Sequence, residues 1–167
     1  RRAGARVLGI DEGFRWLAQG DISRVRELEI EDVSRIHALG GSILHTSRAD
    51  PAKTPAHLER AVDALAELAV DCLISIGGDG TCWAARNLAA ATRGRVRLAH
   101  VPKTIDNDLP LPPGVVTFGF ETARAEAARS ISHLMEDART SQRWYVVVVM
   151  GRTAGHLALG AATAAGA

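Results

Sequence analysis

The stretch Ile74-Ser75-Ile76-Gly77-Gly78-Asp79-Gly80-Thr81 constrains the fold more than any other part of the chain. An apolar run ends there on two glycines, a carboxylate, a third glycine and a hydroxyl. Residues 72–76 read as a short buried strand bounded by turn residues, and residues 81–91 as the helix that follows. A glycine loop between strand and helix lets a phosphate approach the backbone, and the helix N-terminus offers it free N–H groups and a partial positive charge. Thr81 is then an N-cap or a phosphate ligand. Asp79 can hold Mg²⁺, directly or through water, because that ion takes few protein carboxylates and shares its remaining shell with phosphates. A tight glycine turn also forms without any ligand, so the loop alone leaves both readings open.

The 167 residues suffice for one domain with a sizeable core, and a second domain is not required. A net charge of +1 provides no global basic field, which argues against nucleic acid or an anionic membrane as partner. Any phosphate binding must therefore be local. No apolar run reaches membrane-spanning length, and the start Arg1-Arg2-Ala3-Gly4 lacks the apolar core of a signal peptide. Cys72 and Cys82 show no metal or CxxC spacing and read as packing residues in a reducing, cytoplasmic compartment.

In chain order, residues 5–10 read as a strand and 12–18 as a short helix carrying Phe14, Trp16 and Leu17. Residues 20–39 are more polar, with helix expected from about Ile30, and residues 42–45 suggest a short extended piece leading to Arg48 in a loop. Arg48 is a surface arginine or a bidentate phosphate grip. Over residues 55–68, Leu58, Ala61, Val62, Leu65 and Leu68 recur at helical spacing opposite Glu59, Arg60, Asp63 and Glu67, with Thr54 as N-cap and Pro55 opening the helix.

Residues 97–101 read as another strand, followed by Pro102-Lys103-Thr104-Ile105-Asp106-Asn107-Asp108-Leu109. Two carboxylates, an amide, a hydroxyl and a lysine leave the carboxyl end of a strand, where open α/β sheets bind ligands. An Asx-rich turn is the plainer alternative. Residues 121–138 form a helix with an apolar stripe, residues 144–150 a strongly β-forming run, and a last helix begins near Thr153. Arg152, at the end of that run, suits a phosphate or a helix cap. His100 and His156 lie near the proposed site, and each is more often a packed residue than a catalyst. Alternating strands and helices predict a three-layer α/β/α sandwich with a mainly parallel sheet, its strands buried on both faces.

Gly77-Gly78-Asp79-Gly80-Thr81, then Pro102-Lys103-Thr104-Ile105-Asp106-Asn107-Asp108, then Met150-Gly151-Arg152, in this order and spacing, closely resemble the 6-phosphofructokinase family. The first motif is shared with diacylglycerol-type lipid kinases and NAD kinases, which lack the second. The resemblance implies that Gly78, Asp79, Gly80 and Thr81 bind the Mg²⁺-nucleotide phosphates, with Asp79 at the metal, and that Arg48 reaches the nucleotide. It makes Asp106 the general base toward the C1 hydroxyl of fructose 6-phosphate. Thr104 and Ile105 then contact substrate, Lys103 belongs to the catalytic loop, and Asp108 lies near the metal and the reacting phosphates. Met150, Gly151 and Arg152 match the fructose 6-phosphate site. Arg143 matches an arginine that reaches the substrate of a neighbouring subunit, implying a homo-oligomer, dimer or tetramer.

Within the family, glycine at the position of Gly80 accompanies ATP, whereas lysine at the position of Lys103 occurs in pyrophosphate enzymes and in some ATP enzymes. The expectation is thus ATP as donor, with a pyrophosphate-dependent phosphotransferase and a noncatalytic nucleotide-binding module as alternatives. Ala49 departs from the aromatic that often follows the matched arginine. The resemblance covers residues 1–167 as one phosphofructokinase-like fragment, without the family's first strand, its glycine-rich turn or its C-terminal half.

Overall fold

The computed structural model describes residues 4–167; the expectation for the chain start at Arg1-Arg2-Ala3 lies outside them. Two compact units are present. One comprises the described residues up to Ser75 together with Gly80–Ala99; the other comprises Ile76–Asp79 and His100–Ala167.

In the first unit, β1 (Leu8–Ile10) pairs antiparallel with β2 (Val25–Glu27). The polar composition of residues 20–39 hides β2, which the sequence reading misses. No helix forms over residues 12–18. Glu12 and Gly13 take left-handed φ values of 52° and 61°, so the segment turns and yields only a 3₁₀ turn at Leu17–Gln19. The short helix α1 (Ile30–Val33) begins where expected, closed by a capping box between Glu29 and Asp32. Residues 42–45 form a turn rather than an extended piece, with the His45 N–H donating to the Ser42 carbonyl at 3.2 Å.

The amphipathic helix α2 (Pro55–Glu67) matches its pattern: Ala61, Val62, Ala64 and Leu65 are buried, and the Thr54 hydroxyl accepts from the His57 N–H at 3.2 Å. Its apolar face joins Phe14, Leu17, Leu73, Ala84, Ala85, Leu88 and Val96 in one core. That core takes one face of the strand β3 (Cys72–Gly77) and one face of the helix α3 (Asp79–Thr92). Helix α3 starts two residues earlier than its pattern suggests, so Thr81 lies inside the first turn and is not its N-cap.

Strand β4 (Arg97–Pro102) pairs with β3. The Arg97 N–H donates to the Asp71 carbonyl and the Lys103 N–H to the Gly77 carbonyl. The sequence offset is the same at both ends, so the strands run parallel, as a strand–helix–strand crossover requires. Burial on both faces does not follow. Along β3, Leu73 and Ser75 are buried whereas Cys72, Ile74 and Ile76 are exposed, because no described element covers that side. Cys72 is therefore not a packing residue, while Cys82 is half-buried.

In the second unit, α4 (Phe120–Ser141) packs on α5 (His156–Ala165) through Phe120, Ala128, Ile131, Leu157 and Ala161. At Gly160 the helices come so close that a Cβ would lie 2.9 Å from Arg124 Cδ. Helix α5 starts at His156 rather than near Thr153, because residues 151–154 form a turn. The run Trp144–Met150 is not a strand. Exposure still alternates with the β period, Trp144, Val146 and Val148 being far more exposed than Tyr145 and Val147, yet no described strand pairs with it.

Candidate active site

Gly77-Gly78-Asp79 of the first motif and the 103–108 loop of the second lie side by side at the ends of β3 and β4, within the second unit. The Lys103 N–H donates to the Gly77 carbonyl at 2.8 Å, extending the ladder one residue past β4. A Cβ on Gly78 would stand 3.4 Å from Thr104 Cβ, so a glycine there lets the second loop close against the first. Asp79 follows as the first residue of α3, exposed, where a carboxylate complements the helix dipole.

Four hydrogen bonds hold the 103–108 loop in shape, three of them from Thr117 and Phe118. The Asp106 N–H donates to Thr104 Oγ1 at 3.1 Å, and Thr117 Oγ1 donates to the Thr104 carbonyl at 2.6 Å. Asn107 Oδ1 accepts from the Thr117 N–H at 3.0 Å, while the Phe118 N–H donates to the Pro102 carbonyl at 2.8 Å. Asn107 takes a left-handed φ of 53°, which asparagine tolerates better than most residues. Thr117 is buried and Asn107 half-buried, so both serve as braces rather than as ligands. Nothing in the sequence marks Thr117. Asn107 is legible as the amide of the Pro102–Asp108 motif and as a turn former, but its partner is not. The Asx-turn reading holds: the asparagine makes the turn, with Asp106 and Asp108 on either side of it.

Arg152 completes the cluster. Its Nη2 donates to Asp108 Oδ2 at 3.3 Å, and its Nε stands 3.7 Å from Asp106 Oδ2. Asp108 Oδ1 is buried without a hydrogen-bond partner, an acceptor available to a donor from outside the chain. Gly151 is buried at a φ of 145°, and a Cβ there would lie 2.5 Å from the Ala154 carbonyl oxygen. Only glycine fits this turn, which is closed by the Ala154 N–H donating to the Gly151 carbonyl at 2.8 Å.

The structure brings together Gly78, Asp79, Lys103, Thr104, Ile105, Asp106, Asp108, Gly151 and Arg152 in one unit. Ile105 is half-buried and would meet a Cβ on Gly119 at 3.8 Å, an anchoring contact. Met150 is exposed, and Arg143 stands exposed just beyond α4, beside a shallow apolar groove of about 360 Å³. Gly80 and Thr81 are the second and third residues of α3, and Arg48 is exposed in a coil of the first unit.

His100 lies half-buried on β4 with a hydrogen bond to the Gly77 backbone, and burial pushes its pKa below the ordinary 6.5. The unfolded chain then binds the proton more readily than the folded one, so this contribution to stability is complete above pH 6.5 and is lost as pH falls. The urea midpoint of the wild type is expected to drop below that pH, and His100→Gln to flatten part of the drop. Parallel curves for the two proteins would show that His100 is not the group responsible.

The model of the phosphofructokinase family matches residues 1–167. The chain belongs to the phosphofructokinase family. A pyrophosphate–fructose 6-phosphate 1-phosphotransferase of Thermotoga maritima is 52% identical over 164 residues, covering 98% of this chain and 39% of that protein. An ATP-dependent 6-phosphofructokinase of Streptomyces coelicolor is 42% identical, covering 98% of this chain and 46% of its own length. Among solved structures, phosphofructokinase from Saccharomyces cerevisiae superposes with a TM-score of 0.85 at 28% identity, covering 99% of this chain and 24% of that one. The fold is therefore the phosphofructokinase-like α/β fold, in part. The chain spans less than half the length of these phosphofructokinase relatives. Among the described residues, no helix is long and apolar enough to cross a membrane.

Proposed function

We propose that this chain carries the central catalytic loops of a phosphotransferase that moves a phosphoryl group onto the C1 hydroxyl of fructose 6-phosphate, with pyrophosphate as donor. The observation that carries the reading is the cluster of Asp106, Asp108 and Arg152, held beside Gly78 and Thr104 by a braced loop. Phosphoryl transfer asks a protein mainly for alignment and charge neutralisation, with one base for the attacking hydroxyl.

In this reading Asp106 takes the proton of the sugar hydroxyl as its oxygen bonds to the terminal phosphorus and the bond to the leaving phosphate breaks. Thr104 orients the sugar, and Arg152 balances negative charge. Met150 and Gly151 complete the sugar-phosphate side, and Lys103 and Asp108 face the reacting phosphates. Asp79, Gly80 and Thr81 hold the donor. Asp79 fits Mg²⁺, since it is an exposed carboxylate at the start of α3 and magnesium is bound through one or two protein carboxylates with phosphates completing its shell. When bound, the ion neutralises donor phosphate charge. Arg143 would serve a neighbouring subunit of a homo-oligomer.

For the donor, the 52% identity to a pyrophosphate enzyme outweighs the 42% identity to an ATP enzyme. Gly80 supports ATP as the second reading, because a Cβ there would meet nothing within 4 Å and the space is open to a larger donor. Donor profiling of the full-length protein decides between them. We expect kcat/KM for pyrophosphate to exceed that for ATP by about a hundredfold or more, well below the roughly 10⁴–10⁵ that hydrogen-bonding sites reach. A preference for ATP would reverse the donor assignment.

A further inference from the structure

Arg152 is 70% exposed, yet its guanidinium lies across two carboxylates that are only 16% and 21% exposed, those of Asp106 and Asp108. It is aimed there by its own backbone, at a left-handed φ of 50°, immediately after the glycine-only turn at Gly151. An enzyme that holds a reactive phosphoryl donor beside a free base meets a chemical hazard, because water is the smallest acceptor and is always present. We propose that Arg152 determines acceptor specificity against water, occupying the carboxylates of Asp106 and Asp108 until the phosphate of a sugar substrate draws the guanidinium away.

This inference rests on the function proposed above. The suppressed reaction is hydrolysis of the donor: a water oxygen bonds to one phosphorus of pyrophosphate, its proton passes to Asp106, the bridging P–O bond breaks and inorganic phosphate leaves. It uses the same base as the transfer and differs only in the nucleophile. The clasp suits release. Its contacts are long, at 3.3 and 3.7 Å, and the arginine is largely solvated, so the pair is screened. A phosphate offers the guanidinium a bidentate partner of higher charge.

The test uses the full-length protein with Mg²⁺ and pyrophosphate, measuring phosphate release without sugar and phosphoryl transfer with fructose 6-phosphate. Arg152→Gln is expected to raise the absolute rate of phosphate release without sugar by about tenfold or more, a modest share of what a positioned base contributes, whatever happens to transfer. Arg152→Lys, which keeps a positive charge, should raise it less. Adding Asp106→Asn to Arg152→Gln should return hydrolysis to background. A sugar-free hydrolysis rate in Arg152→Gln equal to or below that of the wild type overturns the proposal, and so does hydrolysis that persists in the double variant. If the wild type transfers normally and the sugar-free rate does not rise in Arg152→Gln, only the role of Arg152 fails. If the wild type transfers from neither pyrophosphate nor ATP, the proposed function fails with it.

Discussion

Asp106→Asn is expected to lower turnover by about two to four decades while leaving KM for fructose 6-phosphate nearly unchanged, the usual effect of removing a general base. The amide is close to the carboxylate in shape, so the local fold should persist. The loop is fixed by bonds that do not use this side chain: the Asp106 N–H to Thr104 Oγ1, Thr117 Oγ1 to the Thr104 carbonyl, and the Thr117 N–H to Asn107 Oδ1. Arg152 also keeps Asp108 as a partner. Under the proposed function, what is lost is the acceptor for the hydroxyl proton. An unchanged rate would remove Asp106 from the mechanism, and a large rise in KM alone would mark it as a binding residue.

Gly151→Ala is expected to be the most damaging small substitution near the site. A methyl group would stand 2.5 Å from the Ala154 carbonyl oxygen, an approach that the backbone must move to relieve, at a φ of 145° that side chains rarely adopt. The conformational strain alone is on the order of 1–3 kcal/mol. The larger effect should be on catalysis, because the turn sets the direction of Arg152, and a displacement of roughly 1 Å at a catalytic group costs about a hundredfold. Urea unfolding and steady-state kinetics of the full-length variant check both parts. A wild-type midpoint together with wild-type kcat/KM would show that the turn tolerates a side chain and does not position Arg152.

Much of the candidate site is legible in the sequence because the residues that form it are local to two short runs. Glycines, aspartates and a threonine in two short runs, each leaving a predicted strand, identify the loops without any knowledge of distant packing. The amphipathic period of residues 55–68 and the cap at Thr54 survive for the same reason. The failures come from long-range partners and from backbone handedness. Composition alone does not reveal that Glu12 and Gly13 adopt left-handed conformations that break the expected helix over residues 12–18. The valines of 146–149 have strong β propensity, but a strand exists only with a hydrogen-bonded neighbour, and no described strand provides one. Polar residues conceal β2 because one face of a two-stranded ribbon needs little burial. Thr117 is the instructive omission. A buried hydroxyl bridging the Thr104 carbonyl and the Asn107 side chain braces the 103–108 loop from ten or more residues away, and only the fold brings it there.

The donor assignment shows the same division. In the proposed assignment, Gly80 is open to inspection in the sequence and argues for ATP by steric room, whereas the pyrophosphate reading rests on a 52% identical relative. A single glycine permits a large donor without demanding it. Recognition of pyrophosphate depends on the full set of charges around it.

Phosphorus NMR of the full-length protein with Mg²⁺, fructose 6-phosphate and pyrophosphate tests the central claim most directly. The account predicts one new sugar 1-phosphate resonance growing as pyrophosphate is consumed, one bisphosphate and one inorganic phosphate per pyrophosphate, with growth abolished to within about a hundredth of the rate in Asp106→Asn. No sugar 1-phosphate resonance with either pyrophosphate or ATP would contradict it.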